Sequence, residues 1–261
     1  MDETDTRSDQ VNVKFPADLF APLVTGQNVV AFTGAGISSE SGVPTFRGTD
    51  GIWKKFKPEE LANVDAFMRN PELVWEWYAH RKRIIAGIQP NAGHYTLVKM
   101  EKMFSRFTII TQNIDNLHRR AGSTTVYELH GNIERNYCMK CGTPYSNAEV
   151  LKEEGAPRCP RCDGLIRPDV VWFGELLPDD EWEKSVQAAE SADVLFSIGT
   201  SGIVYPAASI PLMAKRRGAY IVEINPEPTA LTECADTFLN GRAGAVLPAL
   251  YQRLLVERKI G

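Results

Sequence analysis

The chain has 261 residues, 43% hydrophobic and 24% charged, with a formal net charge of −4. That length suits one large α/β domain plus a small insertion, and the acidic balance argues against a general nucleic-acid binder. No apolar segment reaches the ~20 residues that a membrane span requires, and the polar stretch 1–10 lacks the cationic start and apolar core of a signal peptide; the expected setting is the cytosol.

Residues 1–15 read as a flexible tail, and 18–25 as a short helix. The apolar run 29–33 has the pattern of a buried parallel strand. It breaks into Gly34-Ala35-Gly36-Ile37-Ser38-Ser39. Glycines tolerate positive φ and close approach of a phosphate, and serines suit the start of a helix, where free N–H groups favour an anion. Strand, glycine turn and helix start is the pyrophosphate-binding arrangement of a dinucleotide fold. The match to G-x-G-x-x-G is partial. Ser39 stands in place of the third glycine, and no acidic residue ends a second strand about 20 residues on, where a ribose would be held. The loop after it carries a rigid proline, the ring of Phe46 and the charge of Arg47.

Residues 57–87 read as helical and rich in Trp, with Pro58 and Pro71 at helix starts. Trp75, Tyr78 and Ile85 share an apolar face there, with Trp75 expected to pack. Another helix runs over 91–103, opening at Asn91 as its cap. A second strand, 107–111, delivers Gln112, Asn113 and Asp115 to its carboxyl end, the place where α/β sheets gather ligands. A third, 126–129, ends in His130-Gly131. Further strands are expected at 170–174, 194–198 and 219–224. Helices are expected at 178–192, 205–217 and 243–259. Strands alternating with helices give an α/β fold with a doubly wound parallel, Rossmann-like sheet.

Five cysteines are present. Cys138 and Cys141 form one C-x-x-C pair; Cys159 and Cys162 form another, 17 residues on. This is the spacing of a zinc ribbon, in which four thiolates close a tetrahedral, structural site with no position for water. The segment is too short for a core of its own, so the metal substitutes for one. Cys234 reads as a small buried or half-buried residue, chemically inert. The organisation is then a nucleotide-binding Rossmann-like domain from 16–50, 88–133 and 166–261. A helical insertion at 51–87 and the zinc ribbon at 134–165 form a small domain.

In their order along the chain, these motifs resemble those of the sirtuin family, the NAD-dependent protein lysine deacylases. The carrying residues are Gly34 to Ser38, the loop with Phe46 and Arg47, Gln112, Asn113 and Asp115, His130-Gly131, and the four cysteines. Val171-Trp172-Phe173-Gly174 and Gly199-Thr200-Ser201 complete the set. The incomplete glycine motif and the missing acid are expected of this family. The resemblance implies NAD, one structural zinc ion, and transfer of an acyl group from lysine to ADP-ribose with release of nicotinamide. It implies His130 as general base and Asn113 as a second catalytic residue. Contacts to NAD are implied for Gly34, Ala35, Gly36, Ile37, Ser38, Phe46, Arg47, Trp53, Gln112, Asn113, Asp115, Gly199, Thr200, Ser201, Asn225 and Ala243. Val171, Trp172, Phe173 and Gly174 would receive an acyl-lysine substrate as an added strand. His80, His94 and His118 are expected at the surface, at a helix cap and in support of the site.

Tyr78 and Arg81 match the Tyr-x-x-Arg pair of the family's desuccinylase-like branch. At i and i+3 they share a helix face, and a guanidinium suits an acyl carboxylate. The plainer reading is a solvated basic face in Arg81-Lys82-Arg83. Thr49 stands where that branch has alanine, so both deacetylation and removal of acidic acyl groups (succinyl, malonyl) are expected. Three other functions compete: mono-ADP-ribosyl transfer from the same nucleotide, a non-catalytic zinc-ribbon binding module, and hydride transfer.

Overall fold

The computed structural model describes residues 14–44, 61–152 and 155–260. Phe46, Arg47, Thr49, Trp53 and Pro58 lie outside them. The chain runs α1 (Phe20–Thr25), β1 (Asn28–Thr33), α2 (Gly36–Ser39), α3 (Val64–Arg69), α4 (Pro71–Gly87), α5 (Ala92–Glu101) and β2 (Arg106–Thr111). It continues with α6 (Leu117–Ala121), β3 (Val126–Glu128), β4 (Gly131–Cys138), β5 (Pro144–Ser146), α7 (Asn147–Val150) and β6 (Ile166–Val170). Last come α8 (Asp179–Glu190), β7 (Val194–Ile198), α9 (Ile210–Arg216), β8 (Tyr220–Asn225), β9 (Thr237–Asn240) and α10 (Ala243–Ile260).

Six strands form a parallel sheet in the order β3-β2-β1-β7-β8-β9. Alternation along β1 explains its place in the middle. Val29 and Ala31 pack into the apolar layer that also holds Leu97, Leu250 and Leu254, while Val30 and Phe32 pack on the opposite face with Ala189 and Ile210. Burying side chains of this size contributes ~1.5–3 kcal/mol each. α10 turns Ala243, Val246, Leu247, Leu250 and Leu254 onto the sheet at helical spacing. Both proposed caps are present. Asn91 accepts from the Gly93 amide at 2.9 Å, and the Asn91 amide donates back to His94 Nδ1 at 3.3 Å.

A second, three-stranded antiparallel sheet has the order β5-β4-β6. Two expectations change here. The strand expected over 170–174 lies at Ile166–Val170 and pairs with β4, so it belongs to the small sheet. Val171 to Gly174 form an irregular turn after it. The helix expected over 205–217 breaks into a 3-10 turn, Ala207–Ser209, and α9. Polar ties join this sheet to α4. Lys82 is buried and donates to the Ile133 carbonyl and to Asn147 Oδ1, the latter at 2.9 Å. No helix among the described residues is long and apolar enough to cross a membrane.

Candidate active site

The carboxyl ends of β1, β2, β7 and β8 open into one cavity of about 990 Å³. Gly34, Ala35, Gly36, Gln112, Asn113, Gly199, Thr200, Ser201, Asn225 and Ala243 line it, as do His130, Tyr78, Val171, Trp172, Phe173 and Gly174. Sixteen residues from eight separate stretches of the chain therefore meet in one place, on the strand ends that the α/β rule selects.

The glycine turn works differently from the expectation. Neither Gly34 nor Gly36 adopts positive φ. They are required by a close approach of two loops: a Cβ on Gly36 would stand 2.6 Å from the Cα of Gly199, and one on Gly34 would stand 2.8 Å from the Gly199 carbonyl oxygen. The positive φ falls on Gly199, at +59°. Gly36 N donates to the Gly199 carbonyl and Gly34 N to that of Ile198. Of the amides from Gly34 to Ser38, that of Ala35 alone has no partner among the described residues. It faces no competitor for an anionic oxygen. Ser38 and Ser39 end the short α2 and cap nothing, since the residue at the cap position is Ala35.

Ile37, Ser38 and Asp115 are buried behind the cavity wall. Asn113 Nδ2 donates to the Gly34 carbonyl at 3.0 Å and to Ser38 Oγ at 3.2 Å, which fixes its amide against the glycine turn. Asp115 accepts from the Leu117 amide at 2.9 Å. Burial raises its carboxyl above the usual range, against the pull of the Leu117 amide, Ser38, Arg81 and Arg120. Gln112 Nε2 donates to Thr200 Oγ1 at 2.9 Å, and Asn225 Nδ2 to the Thr200 carbonyl at 2.9 Å. These two amides shape the β7 loop as much as they face the cavity. His118 meets Thr33 Oγ1 at 2.9 Å beneath the wall, in support as expected, and His80 is exposed.

His130 follows β3 and is held by one defined contact. Its Nδ1 donates to the Gln112 carbonyl at 3.0 Å. A carbonyl can only accept, so the neutral ring carries its proton on Nδ1 and leaves the Nε2 lone pair available. Burial lowers its pKa below the ordinary 6.5, opposed by the Gln112 contact. The ring is therefore a base at neutral pH.

Tyr78 and Arg81 both lie on the buried face of α4. The Tyr78 hydroxyl accepts from Trp172 Nε1 at 2.9 Å, and burial pushes its pKa up to about 12. The Arg81 guanidinium stands 4.9 Å from the Trp77 ring. The solvated basic face is thus not what the structure shows: Arg81 and Lys82 are buried, and only Arg83 of that run is exposed. Sequence reasoning missed Trp77, Ile114, Glu175, Val204, Tyr205 and Arg242 on the cavity wall. Position after a strand end could have found Ile114, but nothing local marks the others.

Away from the cavity, the Sγ atoms of Cys138, Cys141, Cys159 and Cys162 lie within 4.8 Å of one another. Cys138 to Cys162 is 3.5 Å and Cys141 to Cys159 is 3.7 Å. Sulfurs ~2.3 Å from a central zinc ion in tetrahedral array stand about 3.8 Å apart, so the donor set fits zinc. The Lys140 amide donates to Cys138 Sγ at 3.4 Å, and Tyr145 Oη lies 3.0 Å from Cys159 Sγ, contacts that suit thiolates.

The Sir2 family model matches residues 34–206. The chain is 53% identical to NAD-dependent protein deacylase 2 of Pyrobaculum aerophilum, over 94% of this chain and 96% of that protein. It is 52% identical to the NAD-dependent protein deacylase of Aquifex aeolicus, over 87% and 95% of the two. A Sir2 homologue solved in complex with NAD superposes with a TM-score of 0.87 at 43% identity, covering 94% of this chain and 95% of that one. A Sir2 structure with a p53 peptide and NAD gives 0.81 at 32% identity, covering 95% and 100%. A family match across both the glycine turn and the cysteine knot, with identities above one half along nearly the whole length, leaves one assignment: this chain belongs to the Sir2, or sirtuin, family.

Proposed function

We propose that this chain is an NAD-dependent protein lysine deacylase, which transfers the acyl group of a modified lysine to ADP-ribose and releases nicotinamide. The observation that carries the reading is His130, whose Nδ1 is committed to the Gln112 carbonyl while its ring lines the same cavity as the glycine turn and the Val171 to Gly174 turn. NAD supplies the electrophilic ribose carbon. The chain's own residues do the rest. The Ala35 amide can donate to a phosphate oxygen, while Thr200, Ser201, Asn225 and Ala243 suit the adenosine side. Asn113, locked by Gly34 and Ser38, sets the nicotinamide end. His130 Nε2 takes the proton of a ribose hydroxyl, a service worth ~10²–10⁴-fold. Phe173 is 48% exposed and Tyr205 66% exposed beside the cavity, an apolar rim for an extended peptide carrying the acyl-lysine. Solved relatives hold a p53 peptide.

The acyl group accepted includes acidic ones. Tyr78 lines the cavity with its phenol still protonated and its oxygen already serving Trp172, so its O–H is available to a carboxylate. Arg81 is one turn further on α4 and adds positive charge. We place the reaction in the cytoplasm, where thiols stay reduced for the metal.

The test is mass spectrometry of products from NAD with acetyl- or succinyl-lysine peptides. O-acyl-ADP-ribose, formed only when acylated peptide is present, is expected. Nicotinamide release without peptide, with ADP-ribose left on protein, would instead mean mono-ADP-ribosyl transfer. Arg81→Met should lower the ratio of succinyl to acetyl turnover; an unchanged ratio would remove Arg81 from acyl recognition.

A further inference from the structure

Arg167 is a buried cation that the chemistry above does not use. Its side chain is 2% exposed, on β6 of the small sheet. Nη1 and Nη2 donate to the two carboxylate oxygens of Glu175, at 2.5 and 2.8 Å, and Nη2 also donates to the Val170 carbonyl at 2.7 Å. The guanidinium plane is stacked too: its centre lies 3.5 Å from the Trp172 ring and 5.5 Å from the Tyr137 ring. Glu175 turns back on the same segment, accepting from the Trp172 amide at 2.8 Å. One guanidinium therefore fastens both ends of the turn from Val170 to Glu175, and this turn is cavity wall.

Two features argue that the arrangement serves binding as well as stability. A buried ion pair is weak evidence of stability, because desolvation offsets most of its attraction. Here it holds a turn without regular structure in which Phe173 is 48% exposed, and Leu176, just after it, is 89% exposed. The guanidinium also lies 5.5 Å from the ring centre of Tyr137, on the neighbouring strand of the metal-bearing sheet. Tyr137 is the register partner of Arg167, and Cys138 follows it on β4. Arg167 thus stands between the cysteine knot and the wall that would meet a peptide.

We infer that Arg167 is a positioning residue for substrate: through Glu175 and Trp172 it holds the Val170–Glu175 turn in the form that accepts an extended acyl-lysine peptide. The inference rests on the deacylase reading above. A planar fork is needed, since lysine can neither bridge both carboxylate oxygens in parallel nor lay a flat cation against the Trp172 ring.

The experiment uses full-length, zinc-loaded protein and a fluorescently labelled acetyl-lysine peptide. Peptide affinity is read by anisotropy, NAD binding by the rise in melting temperature, and turnover separately. Arg167→Lys is expected to keep its zinc and its NAD-induced rise, and to bind peptide at least about ten-fold more weakly, the cost of one charge-assisted hydrogen bond. Glu175→Gln, which keeps the shape but not the charge, should weaken peptide binding in the same sense. Peptide affinity of Arg167→Lys equal to wild type overturns the inference. So does an equal loss of NAD and peptide binding, which is what general loosening of the fold produces. Wild type that binds peptide but forms no O-acyl-ADP-ribose would defeat the deacylase reading while leaving Arg167's role to be decided by the affinities.

Discussion

β7 buries all five of its residues, Val194 to Ile198, while β5 leaves Pro144 and Ser146 exposed on either side of a half-buried Tyr145. The six-stranded sheet is closed on both faces by apolar side chains from helices. The three-stranded sheet packs through two smaller apolar clusters, one where Trp75, Ala79, Val150 and Ile166 meet Cys138 and Cys159, the other where Ile133 and Val170 meet Phe67, Tyr78 and Trp172. Beyond that it depends on polar ties from Lys82, Asn136 and Arg167, and on four thiols gathered at one point. Burial alone suffices for the first sheet; coordination and a few directed contacts must complete the second. The cavity lies between them, with a glycine turn from one and an irregular turn from the other.

Removing the metal should separate the two sheets most strongly. Structural zinc in small sites contributes an apparent ~10–16 kcal/mol, all of it counted as folding energy. Chelation should therefore erase amide-exchange protection in β4 and β6 and abolish peptide-dependent activity, while β1 and β7 stay protected. Equal loss of protection in both sheets would show that the two stand or fall together.

His130 occupies the joint between the sheets, after β3 and directly before β4. His130→Ala should lower kcat by ~10²–10⁴-fold without loss of zinc. The sign of the pH effect follows from its lowered pKa. The neutral ring is the active form and persists below the ordinary imidazole pKa, so the acid limb of the wild-type profile should lie below pH ~6.5 and vanish from the residual activity of the variant. A limb at or above that pH would contradict the burial of the ring.

Within the large sheet the closest contact is between loops. In Gly36→Ala the new methyl group would meet the backbone of Gly199 at 2.6 Å, with no flexible side chain to yield. Overpacking of this kind costs ~1–3 kcal/mol, and the displaced β7 loop carries Thr200 and Ser201. Thermal unfolding and NAD affinity should both fall. Loss of stability with unchanged NAD affinity would separate the packing of the turn from its role at the nucleotide.

The two regions were legible in the sequence for different reasons. Strands β1, β2, β7 and β8 announce themselves as unbroken apolar runs, because a strand covered on both faces needs nothing else. The cysteine knot shows in its spacing. What the sequence hid lies where pattern has no hold. Pro168 and Asp169 interrupt the apolar run of β6, so the unbroken apolar pattern points four residues late, to residues 170–174. Trp172, expected as part of an open edge, is buried because Tyr78, 94 positions away, accepts its indole N–H. The need for Gly36 was legible, but its cause, the backbone of Gly199, is a contact across 163 residues of chain.

Acid stability gives the finest distinction between the halves. Beside the large sheet the His94 and His118 rings meet at a tilt of 56°, with centres 5.0 Å apart. The Asn91 amide donates to His94 Nδ1, so the neutral ring carries its proton on Nε2, 3.5 Å from Ser38 Oγ. Burial lowers the His94 pKa to about 4. The unfolded chain takes up a proton near pH 6.5 that the folded one refuses, so stability is full above that pH and is lost as pH falls toward 4, at about 1.4 kcal/mol per pH unit for this one site. The metal site also weakens in acid as its thiolates protonate, so total stability cannot apportion the loss. His94→Gln can. Glutamine at this third helical position preserves the reciprocal cap and does not titrate. Denaturant unfolding of the two proteins between pH 6.5 and 4 should give converging curves, the variant losing less stability per pH unit while the metal-dependent share cancels. Parallel curves would mean that acid acts through the cysteine knot alone.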